Sequence, residues 1–320
     1  GNMRINRYMI KKGIMCMKEY GVGELYIRAV EKLRSQKISY DKWYKKRIMT
    51  ENQWELQRQD SQKWQKRPLV SICVPLYNTP ESYLLEMIES VEKQTYTNWQ
   101  LCLADGSPEM KLGELLKEKY PNETRISYQH LEENLGIADN TNKAFEMAEG
   151  EWIALLDHDD VLVPEALYES LAAAGLNEAT ASLVNKVWKK GEVEAVYSDE
   201  DKITENLKEY FDPHFKPDFN LDLLRTNNYI THFFVVKREI VERVGGFCKE
   251  YDGAQDFDFI LKCTDEAKMV AHVPRILYHW RTSAGSTAEN PASKMYAFEA
   301  GKKAIEAHLA KKGIEGEVYY

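Results

Sequence analysis

Short apolar runs alternate with helical repeats along most of this chain. Residues 69–74 form an apolar run that predicts a buried strand ended by Pro75. Thr79, Pro80 and Glu81 then predict a helix start, with Thr79 as the capping residue. Further strands are predicted at 99–104, 126–129 and 152–156, and helices at 110–120 and 137–148. This order predicts an α/β fold with a mostly parallel central sheet and helices on both of its faces.

The N-terminal part of the chain follows a different pattern. Residues 3–66 show helical spacing without strand-like alternation, as at Ile10, Ile14 and Met17. We therefore predict a helical N-terminal segment over residues 1–67 and a second domain over residues 68–320, which ends in a helix at about 292–313.

Charge is distributed unevenly between these two parts. Residues 1–67 carry 17 Lys and Arg against 7 Asp and Glu, whereas the whole chain has a formal net charge of -8. Two explanations of the basic segment stay open: a solvated helical face, or an electrostatic contact with an anionic partner or membrane surface, such as the inner face of the plasma membrane. The acidic remainder argues against nucleic-acid binding, because phosphate contacts need a basic surface.

Composition also bears on the compartment. No run approaches the roughly 18 apolar residues that cross a bilayer, and no secretory pattern opens the chain. The five cysteines are scattered and form no Cys-x-x-Cys pair, so neither disulfides nor a thiolate zinc site are predicted. We expect a cytoplasmic location, either free or at the inner face of the plasma membrane.

Acidic residues follow the predicted strand at 152–156. Asp157, His158, Asp159 and Asp160 come directly after it, and residues 161–164 are expected to open the next helix. Ligands bind at the carboxyl ends of parallel strands, and crowded carboxylates call for a compensating cation. Oxygen ligands suit Mn²⁺ or Mg²⁺. The alternative is an acidic helix N-terminus that uses these residues as caps.

Three other loops lie at the same predicted edge of the sheet: residues 75–78, 105–107 and 134–142. The aromatic ring of Tyr77 and the carboxylate of Asp105 could hold a nucleoside, and Gly136 before a helix N-terminus favours an anion. Ordinary turn chemistry of Asn, Asp, Gly and Ser is the alternative for each loop.

Taken in order, these motifs resemble the inverting glycosyltransferases of family 2, which have the GT-A fold. The resemblance runs over residues 70–280 and is closest to bacterial members that build surface polysaccharides. Further motifs that carry it are residues 197–202, 215–218, 253–258 and 278–281. The resemblance implies a nucleotide-binding half at about 68–160 and an acceptor half at about 161–290.

The resemblance also implies roles for individual residues. Nucleotide-sugar contacts are expected from Pro75, Tyr77, Asn78, Asp105, Ser107, Asn134, Gly136, Asn142, Asp157 and His158. Metal contacts are expected from Asp159 and His279, although a structural histidine is equally consistent with position 279. The acceptor or sugar pocket is expected to include Asp199, Asp201, Gly253, Gln255 and Trp280. The two aspartates follow a predicted strand at 193–197, and ordinary loop carboxylates are the alternative for them.

Asp256 is expected to be the catalytic base, placed just before a helical run at 257–261, with a capping aspartate as the alternative. The implied enzyme uses Mn²⁺ or Mg²⁺ and moves a sugar from a nucleotide-sugar donor, UDP-linked by family default. The expected acceptor is a hydroxyl of a saccharide or lipid-linked molecule in bacterial cell-surface polysaccharide or glycolipid synthesis. A non-catalytic nucleotide-sugar-binding or assembly module of the same fold is the alternative. A dinucleotide-dependent dehydrogenase is disfavoured, because no G-x-G-x-x-G follows the first strand.

Overall fold

The computed structural model describes residues 21–23, 26, 30, 39–177, 193–282 and 291–319. The chain divides into two compact units, Gly1–Ile48 and Met49–Tyr320. In the first unit, helix α1 (Tyr40–Lys45) begins after Ser39, whose hydroxyl accepts a hydrogen bond from the Lys42 amide. The helical spacing predicted at Ile10, Ile14 and Met17, and much of the basic segment, lie outside the described residues.

The second unit alternates strands and helices. The strands are β1 (Val70–Leu76), β2 (Trp99–Asp105), β3 (Ile126–His130), β4 (Trp152–Leu155), β5 (Val161–Leu162), β6 (Val193–Thr204), β7 (Tyr210–His214), β8 (Phe234–Lys237) and β9 (Met269–Thr282). The helices are α2 (Glu51–Ser61), α3 (Glu81–Glu92), α4 (Lys111–Lys119), α5 (Ile137–Glu146), α6 (Ala166–Ala173), α7 (Leu221–Leu224), α8 (Arg238–Val244), α9 (Gln255–Glu266) and α10 (Pro291–Lys311).

One sheet joins all nine strands in the order β3-β2-β1-β4-β8-β6-β9-β5, with β7 paired to β6. Strands β3, β2, β1 and β4 are parallel neighbours, and β6 is parallel to β9. Strand β8 runs antiparallel between β4 and β6, and β5 and β7 are antiparallel to their neighbours. The predicted α/β fold with a mostly parallel sheet is therefore confirmed.

Helices cover both faces of the sheet because successive side chains of a buried strand point to opposite sides. On one face, Val70 and Ile72 of β1 pack in the same core as Leu84 of α3. On the other face, Cys73 of β1 packs in the same core as Ala144 of α5. This arrangement explains why β1, β2 and β4 are apolar at most positions.

Two predictions at the end of β1 are wrong. Pro75 does not end the strand but pairs with Ala104 of β2 inside it. The pairing of β1 with β4 has already stopped at Cys73 and Leu155, so the proline lacks a strand neighbour on that side and its missing N–H is tolerated. Thr79 does not cap α3: Pro80 occupies the capping position without a side-chain hydrogen bond.

Two other elements differ from the prediction. Residues 161 and 162 do not open a helix but form β5, which pairs with β9, and α6 begins later at Ala166. Strand β6 does not end at residue 197 but continues to Thr204, because β9 pairs with it along its length. As a result, Asp199 and Asp201 lie inside a buried strand and not in a loop.

Helix α2 belongs to the second unit, ahead of the predicted boundary at residue 67. The Trp54 indole donates to Glu165 at 2.9 Å, and the Gln57 amide donates to Glu169 at the same distance. Within the part of the chain that the structure describes, no helix is both long enough and apolar enough to cross a membrane.

Candidate active site

The loops after β1 and β2 form one side of the candidate site. The Asn78 amide donates to the Ser107 hydroxyl at 2.8 Å, which joins the two loops. Asp105 is fully buried, and its two carboxylate oxygens accept from the Ser107 amide at 2.9 Å and from the Tyr128 hydroxyl at 2.8 Å. Tyr77 remains 45% exposed beside them. The structure thus joins the loop of the exposed Tyr77 ring to the loop that follows the fixed Asp105 carboxylate, and their predicted nucleotide contacts stay predictions.

The loop before α5 is held by its own amide groups. The Asn134 side-chain oxygen accepts from the Gly136 amide at 3.1 Å and from the Asn140 side chain at 2.9 Å. Gly136 has φ 93°, a left-handed conformation that favours glycine. Asn142 instead exchanges two hydrogen bonds with the Phe247 backbone, at 3.0 and 2.8 Å. Its amide therefore ties α5 to the segment after α8, and its predicted nucleotide contact stays a prediction.

The acidic loop between β4 and β5 is fixed through Asp160. This carboxylate is fully buried and accepts from the Tyr278 hydroxyl at 2.5 Å and from the Arg281 amide at 2.7 Å. Burial, with the negative charges of Asp157 and Asp159, raises the pKa of Asp160 well above its ordinary value. Burial also raises the pKa of the half-buried Asp159. Ionisation of Asp159 and Asp160 is therefore unfavourable in this loop, and a nearby cation would make it more favourable.

A buried ionic cluster that the sequence did not reveal lies against this loop. Glu200 accepts from the His232 backbone amide at 3.1 Å, lies 3.0 Å from the His232 Nδ1, and accepts from the Thr231 hydroxyl at 2.9 Å. The Lys216 ammonium, fully buried, lies 3.4 Å from the same carboxylate. Burial lowers the pKa of Lys216 to about 8, although Glu200 opposes the shift.

His232 links the cluster to the acidic loop. Its Nε2 lies 3.6 Å from an oxygen of the half-exposed Asp157, and its ring stacks on Tyr278 at 4.4 Å. Burial opposes protonation of His232, but the charges of Glu200 and Asp157 outweigh it and raise the pKa of His232 well above its ordinary value. Burial likewise works against ionisation of Asp157, yet its interaction with His232 lowers the pKa of Asp157. An imidazolium therefore balances part of the loop's charge.

Asp256 lies in the first turn of α9, where one carboxylate oxygen accepts from the Asn228 side chain at 2.9 Å. Burial raises the pKa of Asp256, and the charges of His232 and Asp157 both act on this carboxyl. The charge of His232 lowers the pKa of Asp256 and that of Asp157 raises it, so Asp256 lies within electrostatic range of both groups. A half-buried carboxylate with a raised pKa is suited to general-base chemistry.

The turn before Asp256 is tightly packed. The Gly253 amide donates to the Gln255 side chain at 2.7 Å. Gly253 has φ 99°, and a Cβ at this position would lie 2.2 Å from the Tyr296 ring of α10. Gln255 and Gly253 therefore shape this turn, and their predicted place in the acceptor pocket stays a prediction.

The other predicted carboxylates are engaged with histidines. Asp201 lies 2.5 Å from His279 Nδ1, and both side chains are buried. Asp199 accepts from the Lys216 amide at 2.9 Å and lies 2.9 Å from His272 Nε2. Their position in β6 and not in a loop explains these contacts, because β9 runs beside them.

A polar cleft of about 280 Å³ is lined by residues of β6, β7 and β9. Trp280 lines it, and the Lys202 ammonium lies 5.3 Å from the centre of the Trp280 ring. The other lining residues are Glu200, Asp201, Asp212, Pro213 and His214. An aromatic ring surrounded by carboxylates and a cation can hold a hydroxyl-rich ligand.

The residues near the acidic loop also fit a divalent cation. Among the described residues, Asp157, Asp160 and His232 are the group whose ligating atoms all lie within 4.8 Å of one another. Asp160 is engaged by Tyr278 and Arg281, which leaves the half-exposed Asp157 as the more accessible carboxylate of this group. Asp159 is not in the group, so its metal contact stays a prediction. His279 is not in this group, so its metal contact stays a prediction.

Comparison with known proteins agrees with this geometry. The model of the Glycosyl transferase family 2 domain matches residues 71–245. The chain is 40% identical over 250 residues to the Sinorhizobium fredii protein y4gI, covering 77% of this chain and 26% of that protein. It is 33% identical over 254 residues to the Myxococcus xanthus O-antigen biosynthesis protein RfbC, covering 79% of this chain and 19% of that protein. The chain thus spans about a quarter or less of these relatives.

The fold also has solved counterparts. The structure of S. aureus TarS 1-349 in complex with UDP-GlcNAc superposes with a TM-score of 0.57 at 21% identity, covering 77% of this chain and 68% of that chain. This likeness confirms the GT-A fold. Because the family model covers more than half of the sequence, the chain belongs to glycosyl transferase family 2.

Proposed function

We propose that this chain is a metal-dependent inverting glycosyltransferase that moves a sugar from a UDP-sugar to an acceptor hydroxyl. The observation that carries the proposal is the position of His232. Its Nε2 lies 3.6 Å from Asp157, and its charge lowers the pKa of Asp256, whereas the charge of Asp157 raises it. One carboxylate belongs to the loop after β4 and the other to the start of α9. Donor and acceptor chemistry would therefore face each other across one imidazolium.

The donor side is supported by the loops after β1, β2 and β4. The exposed ring of Tyr77 and the fixed carboxylate of Asp105 suit a nucleoside base. Asp157 and Asp159 would hold Mn²⁺ or Mg²⁺ on the diphosphate, where the cation stabilises the charge that grows on the leaving group. A uridine donor is the simplest choice, since a protein of the same fold binds UDP-GlcNAc.

The acceptor side is supported by Asp256 and the Trp280 cleft. In a single displacement the acceptor oxygen attacks the anomeric carbon, the bond to the diphosphate oxygen breaks, and the hydroxyl proton passes to the base. The raised pKa of Asp256 makes its carboxylate a stronger base than an ordinary aspartate. Asn228 would orient this carboxylate through its hydrogen bond.

The wider role is proposed from the relatives. RfbC is named for O-antigen biosynthesis, so we propose an acceptor that is a saccharide or lipid-linked precursor of a bacterial surface polysaccharide or glycolipid. We propose a cytoplasmic site of action, because the nucleotide sugars that it would use are made there. The predicted membrane contact of the basic segment falls mainly on residues outside the described ones.

A direct test combines nucleotide sugars with Mn²⁺ or Mg²⁺ and measures nucleotide release, donor binding and product. We expect Asp256→Asn to keep donor affinity while turnover falls by roughly 10²- to 10⁴-fold, because general-base catalysis contributes about that factor. Asp159→Ala should lose the metal-dependent part of nucleotide binding. Asp222→Ala is the matched control, since the Asp222 side chain is 92% exposed on α7.

The outcomes separate the two functions that the fold allows. Nucleotide binding without transfer to any acceptor in a broad panel would favour a non-catalytic binding module. Full turnover by Asp256→Asn would remove this residue as the base, and metal-independent nucleotide affinity would contradict the proposed cation.

A further inference from the structure

The carboxylate of Asp252 lies at the start of α5, although it belongs to the turn that precedes Asp256. A Cβ at Gly136 would lie 3.4 Å from Asp252 Oδ2, so the carboxylate contacts the backbone just ahead of this helix. Burial raises the pKa of Asp252, whereas the Ala138 amide, as a hydrogen-bond donor, lowers it. Because Gly136 has no side chain to cap α5, Asp252 supplies the carboxylate that a helix N-terminus favours.

Asn142, further along α5, holds the beginning of the segment that ends at Asp252. Its side chain exchanges two hydrogen bonds with the Phe247 backbone, at 3.0 and 2.8 Å. A Cβ at Gly246 would collide with Asn142 Oδ1, so only glycine leaves room for this contact. The segment from Gly246 to Asp252 is therefore attached to α5 at both of its ends.

Backbone hydrogen bonds continue from this segment to the start of α9. The Asp252 amide donates to the Lys249 carbonyl at 3.1 Å, and the Ala254 amide donates to the Tyr251 carbonyl at 2.8 Å. Helix α9 begins at the next residue, and Asp256 lies in its first turn. Because these bonds join the turn to the helix, a shift of Asp252 would also shift Asp256.

The position of Asp252 is unfavourable for a residue that serves stability alone. Burial opposes its charged form. Its Oδ1 is buried as well, and within the described part of the chain this atom has no hydrogen-bond partner. A buried acceptor without a partner costs free energy, which calls for another reason for the placement. That reason is the connection between the loop before α5 and the turn before Asp256.

We propose that Asp252 is a positioning residue that fixes the place of Asp256 relative to the loop before α5. This inference rests on the proposed function, in which Asp256 is the base and that loop contacts the donor. Different segments then hold the base and the donor, so their separation has to be set by a contact between the segments. A misplacement of about 1 Å at a reacting centre can lower the rate about a hundred-fold.

The kinetic test compares two replacements of Asp252. Asp252→Ala removes the contact with α5, so we expect kcat to fall about ten- to a hundred-fold while UDP affinity stays unchanged. Asp252→Asn keeps an oxygen that can accept from the Ala138 amide, so it should recover most of the lost kcat. Glu250→Ala is the matched control, because Glu250 is an exposed acid two residues away, and its kcat should equal that of wild type.

Amide hydrogen exchange gives a readout that needs no activity. In Asp252→Ala, the amides of residues 137–139 and 253–256 should exchange about five- to ten-fold faster, because one contact of a charged group is lost. Exchange in β1 should stay unchanged, which a general loss of stability would not allow. In the wild type, UDP should slow exchange at residues 253–256 as well as in the loop before α5, and this measurement decides the question if Asp252→Ala fails to fold.

The results distinguish this inference from the proposed function. Unchanged kcat and exchange in Asp252→Ala would overturn the role of Asp252, and so would an equal loss of kcat in Asp252→Asn. UDP protection confined to the loop before α5 would overturn it too. In each of these cases the wild type still transfers sugar, so the proposed function stands. A wild-type protein that transfers sugar from no donor would overturn both.

Discussion

Replacing Glu200 by glutamine would remove the negative charge from the centre of the buried ionic cluster. Glutamine is nearly the same size and can keep its oxygen towards the two His232 donors, so the change removes charge with little loss of packing. The Lys216 ammonium would then lie in the interior with backbone carbonyls of Ile230 and His232 as its partners. His232 would lose the stronger of its two counter-charges.

The size of the effect follows from burial. The Glu200 side chain is 8% exposed and that of Lys216 is fully buried, so solvent screens the pair little. Removing one partner of a buried ion pair costs about 3–5 kcal/mol. For a unit of this length, 1 kcal/mol corresponds to roughly 2–4 °C in Tm, so Glu200→Gln should lower Tm by about 6–20 °C.

The stabilisation by the Glu200–Lys216 pair depends on pH. Burial lowers the pKa of Lys216 to about 8, and Glu200 keeps it from falling further. The attraction between Glu200 and the Lys216 ammonium therefore stabilises the folded protein below pH 8. It is lost as the pH rises through 8, because the ammonium then deprotonates in the folded state. The Tm difference between wild type and Glu200→Gln should therefore be larger at pH 6.5 than at pH 9.

Thermal unfolding at both pH values measures this prediction. Glu242→Gln is the matched control, since the Glu242 side chain is 61% exposed and pairs with Arg238 on the surface. The double variant of Glu200→Gln with Lys216→Met should lose less stability than the sum of the single variants, which reports their coupling. A Tm within about 2 °C of wild type at pH 6.5, or a difference that grows with pH, would refute the reasoning.

Three further predictions concern the acceptor side. Because burial raises the pKa of Asp256, the acid limb of kcat/KM should lie above the ordinary aspartate range, and a limb near pH 4 would contradict the assigned base. Asp256→Asn should have a Tm at neutral pH no lower than wild type, since a raised carboxyl pKa means that ionisation opposes folding there; calorimetry at pH 7 checks this. Gly253→Ala should lower the free energy of unfolding by about 1–3 kcal/mol, because the φ of 99° and the 2.2 Å distance from a Cβ to Tyr296 both oppose a side chain. An unchanged midpoint in denaturant unfolding would refute this prediction.

Local patterns were enough to predict the first half of the sheet and the acidic loop. Strands β1, β2 and β4 are mostly apolar, and the strands from β1 to β4 are separated by helices with a helical apolar spacing, so their order and the α/β class follow from periodicity. Parallel strands deliver the residues that follow them to one edge, which is why Asp105 and Asp157 were found as candidates. The family assignment follows from the same ordered motifs.

The second half of the site depended on strand pairings that no local pattern encodes. Strand β8 runs antiparallel to β4, so the segment that precedes β8, and not the one that follows it, reaches the acidic loop, and His232 lies in this segment two residues before the strand. A search for residues that follow strands therefore misses it. The partners of Glu200 become visible only when β6, β8 and the segment at Lys216 meet.

The sequence by itself determined which residue types were available and which runs could form buried strands. Only the tertiary structure decided which charges face each other, because Asp157, Glu200 and His232 are far apart along the chain. The same holds for Arg281, whose partner Glu86 lies on α3. Pairings between distant segments depend on strand direction and register, and these are settled by packing of the whole sheet and not by any local run of residues.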